Sequence, residues 1–63
     1  MFEYFEGKKV KVIYQDGDKI TSVTGVLLGV DASKFAKVKL DTGLITVVNV
    51  GNIVRVKEQA EDG

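Results

Sequence analysis

The 63-residue chain carries nine Lys plus Arg against nine Asp plus Glu, and it has no cysteine, histidine or proline; 44% of it is hydrophobic. That composition excludes a disulfide scaffold and any site needing a thiol or imidazole, and its apolar runs are too short to form a membrane-crossing helix. A single domain this small buries only about 60% of the surface its unfolded chain exposes, so with disulfides and common metal ligands ruled out, oligomerisation is the stabilising device left.

Met1 to Glu6 fits a single helical turn, with Phe2 and Phe5 three apart and placed to cover one end of a β-domain. Met1 to Phe5 has an acid and no basic flank, unlike a secretory leader, so a cytoplasmic location is expected. From Lys8 the pattern turns to period two. Val10, Val12 and Tyr14 alternate with Lys9, Lys11 and Ile13, as in a half-buried strand with lysines on the wet face. Asp16-Gly17 is a hairpin signal, and a second strand is predicted from Lys19 to Val30. Gly25 and Gly29 interrupt it, which predicts a sharp bend that lets one strand serve both halves of a small barrel.

Asp31-Ala32-Ser33-Lys34 reads as a loop, and Phe35 to Leu40 as a third strand with Lys37 and Lys39 opposite Ala36, Val38 and Leu40. Asp41-Thr42-Gly43 makes the next turn. Leu44 to Val50 is a fourth strand that is apolar on both faces, compatible either with an edge that pairs with another copy or with a strand crossing the interior. Gly51-Asn52 turns the chain into a fifth strand, Ile53 to Val56. The expected fold is all-β: a strongly bent, five-stranded antiparallel small barrel over residues 1–57. Residues 58–63 hold three acids and no base, reading as an acidic, disordered tail and leaving the body at net +3 from nine cations and six acids.

Two stretches resemble a known family. Gly7-Lys8-Lys9-Val10-Lys11-Val12 leading to Asp16-Gly17, then Gly25-Val26-Leu27-Leu28-Gly29-Val30-Asp31, resembles the first motif of Sm-like and Hfq proteins. Val48-Asn49-Val50-Gly51-Asn52-Ile53-Val54-Arg55-Val56 resembles the second. The resemblance implies a homo-oligomeric ring of six or seven subunits in which strand four of one copy pairs with strand five of the next. It also implies a pore that binds single-stranded RNA, rich in U or A. The edge residues would be Leu44, Ile45, Val47, Val48, Ile53, Val54 and Val56. The competing expectation is an SH3-like protein-interaction or scaffold module that binds no nucleic acid.

The candidate RNA-contacting residues are Asp31, Ser33, Lys34 and Phe35, with Asn49, Gly51 and Asn52 from the second motif. Lys34 suits a phosphate and Phe35 can stack on a base, while the two asparagines offer amides to base edges. Each has a plainer use: Phe35 in the core, where large aromatics usually lie, and the asparagines in local turn bonding. Lys9, Lys11, Lys37 and Lys39 form a phosphate-tracking patch if their strands adjoin, and otherwise serve solubility and edge protection. No catalytic residue, metal site, cofactor or small-molecule substrate is expected, because the carboxylates sit in turns and the tail; Asp16 and Asp18 fall short of the oxygen count calcium needs.

Overall fold

The computed structural model describes residues 2–59. A 3-10 turn at Phe2–Phe5 leads into strands β1 (Lys9–Asp16), β2 (Lys19–Val30), β3 (Phe35–Lys39), β4 (Ile45–Asn49) and β5 (Ile53–Glu58), with a second 3-10 turn at Val50–Asn52 between the last two. They form one antiparallel sheet in the order β4-β3-β2-β1-β5. The all-β, five-stranded architecture is the one the alternating pattern and turn signals predict.

Strand β2 does what its glycines suggest. Its first part, Lys19 to Val26, pairs with β1, and its last part, Val26 to Val30, pairs with β3, so Val26 stands opposite both Lys9 and Lys39. Gly25 is buried where the β3 backbone crosses closely: a Cβ there would run into the Lys39 carbonyl oxygen and lie 2.9 Å from Val38 Cγ1. Gly29 acts differently. It has φ +142° beside the register shift between Leu27 and Gly29, a backbone state that side chains disfavour. One glycine therefore permits contact between strands, and the other permits the bulge.

The inward face follows from the alternation. Val10, Val12, Leu27, Ala36, Val38 and Val48 are buried, and Phe2, Phe5, Val23, Ile53 and Val56 pack around them. The N-terminal turn is tied down by Gly7 N–H donating to the Leu27 carbonyl at 2.8 Å and Leu27 N–H donating to the Lys8 carbonyl at 3.1 Å. Phe2 and Phe5 thus cap the core as their spacing predicts.

Three boundaries differ from expectation. β3 stops at Lys39, because Leu40 N–H bonds the Leu44 carbonyl across the turn (2.8 Å). β4 is shorter, Ile45–Asn49, since Val50 already enters the 3-10 turn. β5 runs to Glu58, and Gln59 N–H still donates to the Lys9 carbonyl at 2.9 Å, so the tail predicted from residue 58 is paired chain through residue 59. The pairing partner β1 is long enough to hold these residues, a tertiary effect invisible in their polar sequence. The rest of that predicted tail lies outside the described residues.

Candidate functional site

The two segments that carry the family resemblance meet at one end of the sheet. The β2–β3 loop is built by Asp31, whose carboxylate Oδ1 accepts from Ser33 N–H (2.9 Å) and Phe35 N–H (3.0 Å), while its carbonyl accepts from Lys34 N–H (3.0 Å). Those bonds hold Lys34 at φ +67°, the left-handed region rarely used by a lysine, and turn its side chain out into solvent. The other segment is capped by Asn49, whose Oδ1 accepts from Gly51 N–H at 2.8 Å and so starts the 3-10 turn.

Strand pairing joins the two. Phe35 stands opposite Asn49, and Val50 N–H donates to the Lys34 carbonyl at 2.9 Å. Asp31, Ser33, Lys34, Phe35, Asn49, Gly51 and Asn52 therefore form one exposed rim. Asp31 and Asn49 hold the backbone in shape, and for Asn49 this is the local turn bonding of the plainer expectation. Among the described residues, the Lys34 ammonium, the Ser33 hydroxyl and the Asn52 amide make no hydrogen bond or ion pair. Phe35 is 37% exposed, with its ring outward rather than in the core.

The predicted edge set divides. β4 and β5 are the two open edges of the sheet. Leu44, Ile45, Val47 and Val54 are 67%, 53%, 52% and 61% exposed, a large apolar presentation for edge positions. Val48 is instead buried in the core, and Ile53 and Val56 pack against the core; alternation turns Val48 and Val56 inward, and the register shift opposite Ile13 and Tyr14 brings Ile53 to the same side. An apolar groove of about 290 Å³ lies beside the β5 edge, lined by Phe2, Phe5, Val50 and Val54 among others.

Hydrogen-bond register shows which backbone groups the edges leave open. The Leu40–Leu44 and Lys34–Val50 bonds fix the even-numbered residues of β4 as those bonded to β3, so the N–H and C=O groups of Ile45, Val47 and Asn49 point to the open side. The Gln59–Lys9 bond fixes β5 in the same way, leaving the N–H and C=O groups of Val56 and Glu58 on its open edge. Sequence reading missed this selection, because parity depends on the ladder rather than on residue type. Among the described residues there is no cluster of three or more metal-ligating side chains. Comparisons with protein-family models, curated proteins and solved structures find no match.

Proposed function

We propose that this protein is a ring-forming subunit of the Sm-like type that binds single-stranded RNA at the rim built by Asp31–Phe35 and Asn49–Asn52. The observation that carries the reading is the junction itself: two segments far apart in sequence are joined through Val50 N–H and the Lys34 carbonyl. That junction sets a free ammonium and a half-exposed aromatic beside free amide and hydroxyl donors. A cation for phosphate, a ring for stacking and amides for base edges are the groups that single-strand recognition requires.

Ring assembly is supported by the two open edges. β4 of one copy joined to β5 of the next is a head-to-tail contact, which closes into a ring when the rotation permits. It would pair the outward backbone groups of Ile45 and Val47 with those of Val56 and Glu58, and cover exposed Leu44 and Val54. Repetition of the rim around such a ring gives several weak contacts one combined affinity.

The test combines mass and binding. Light scattering is expected to give six or seven times the 6.9 kDa chain mass, and fluorescence anisotropy to show binding of oligo-U or oligo-A. Lys34→Gly relieves the left-handed backbone while removing the ammonium, so it is expected to fold normally and bind more weakly. Phe35→Leu, which keeps apolar bulk but removes the stacking face, is expected to lose at least about fivefold in affinity if each stacked base contributes ~1 kcal/mol or more. A stable monomer indifferent to both oligonucleotides would overturn the reading and favour the protein-interaction alternative, with the exposed β4 edge receiving an extended peptide.

A further inference from the structure

We propose that the outward face of the sheet is a second nucleic-acid surface, adjoining the loop rim at Lys37, that holds the sugar-phosphate backbone without reading bases. Val10 and Val12 point into the core, so Lys9 and Lys11 face out; Ala36 and Val38 do the same for Lys37 and Lys39. Lys57 stands opposite Lys11, and Arg55 stands opposite outward Ile13, which adds both to the same face. Six of the chain's nine cations are thus gathered on one side of the sheet. Zero net charge conceals this.

The register makes the patch continuous. One row across the strands reads Lys57, Lys11, Thr24, and another reads Lys9, Val26, Lys39, with Val26 the shared partner in β2. Neighbouring strands lie about 4.8 Å apart, so Lys9 and Lys39 are rooted on the order of 10 Å from each other. Ser22 and Thr24 are exposed on the same side, opposite Ile13 and Lys11, and supply hydroxyl donors between the cations. Such hydroxyls and ammonium groups are the usual partners of phosphate oxygens.

Charge on this face lacks internal compensation. Lys11 and Lys57 are directly opposed, an arrangement that is destabilising between like charges. Among the described residues none of the six cations is ion-paired. Carboxylates stand nearby without pairing: Asp41 and Glu58 line a shallow depression with Lys9 and Val26, and Asp31 lines one with Lys37. Glu58 also accepts from the Tyr4 hydroxyl at 3.1 Å, and Asp31 is committed to its loop. A polyanion laid across the rows relieves the Lys11–Lys57 repulsion and gains from counterion release. The Ser22 and Thr24 hydroxyls between the cations argue for nucleic acid, and exposed Ile20, Leu28, Ile45 and Val47 on the same face make a lipid surface the competing outcome of the test. Every group belongs to one protomer, so the surface does not depend on ring assembly.

The experiment is anisotropy of labelled oligo-U, oligo-A and a mixed-sequence single strand across a salt series, using the full chain. The variant Lys9→Gln/Lys11→Gln/Lys37→Gln/Lys39→Gln is expected to weaken all three ligands alike and to flatten the log K against log salt slope by nearly 3, at about 0.7 per lost phosphate contact. The loop variant Lys34→Gly/Phe35→Leu is expected to alter preference among the three ligands and to change the slope by less than 1. Failure of the loop reading therefore leaves the first result standing, and the reverse also holds. Lys57→Gln alone, a mild surface change, is expected to flatten the slope by about 0.7 should the quadruple variant fold poorly. A wild-type slope in folded belt variants overturns the proposal. So does binding of the wild-type chain to phosphatidylserine-containing vesicles but to none of the oligonucleotides.

Discussion

At Gly25 the β3 backbone passes through the space a side chain would fill, and the obstacle is the Lys39 peptide group rather than a movable side-chain tip. Gly25→Ala must therefore push β2 and β3 apart at the point where the sheet bends, and overpacking of this kind costs about 1–3 kcal/mol and sometimes more. We expect a loss at the upper end, ~3 kcal/mol, which is a large share of what a domain of this size holds in total. Urea denaturation measures it, and a loss below ~1 kcal/mol would show that the strands part more easily than the geometry says. The sequence announces a bend at Gly25 and Gly29 alike, because both interrupt one strand. It does not reveal that the first glycine is needed for space and the second for its φ, since that depends on where β3 crosses. Phe35 illustrates the same limit: an aromatic beside a loop suits core and surface equally until the strand's inward parity is set by Ala36 and Val38.

Among the elements, β4 is the one whose meaning changes most with the fold. Its apolar residues permit either an interior strand or an edge, and the sheet order decides for the edge. Val48 then belongs to the core, while Ile45 and Val47 are outward and exposed. The Val47 N–H also points away from β3, so Val47→Pro removes an open-edge donor without removing a β3–β4 bond. We expect the variant to retain its β-sheet circular dichroism and to lose the high-mass species in light scattering. A variant that stays folded and assembles normally would exclude β4 as the joining edge. β5 was harder to read: Lys57, Glu58 and Gln59 look like the start of a polar tail, and only the length of β1 opposite them brings them into the ladder. The four strand lysines were legible individually, but their common face was not, because it requires knowing that β2 lies between β1 and β3.

For the whole molecule, the ring reading proposed above ties stability to association through the balance of apolar surface. Among the described residues the core has six buried hydrophobic side chains, none aromatic, and the largest fully buried one is Leu27. Full burial of a side chain of this class contributes about 1.5–3 kcal/mol, and Ala36 gives less, so the core is small against the entropy of ordering the chain. Meanwhile Leu44, Ile45, Val47 and Val54 remain mostly in water on the two open edges. With no cysteine available, joining those edges, as the ring reading has it, would bury more apolar area. If assembly and folding are linked in this way, a tenfold rise in protein concentration stabilises each protomer by about 1 kcal/mol through mass action. In a domain of this size that corresponds to an increase in Tm of roughly 4–8 °C. Calorimetry from about 1 to about 100 μM chain covers two such steps, so the expected total is roughly 8–16 °C. The Val47→Pro variant, which cannot complete the edge ladder, is expected to melt at one temperature throughout that range. A wild-type Tm that does not move with concentration would mean that the six-residue core suffices alone, and that the exposed edges serve a partner other than a second copy of the chain.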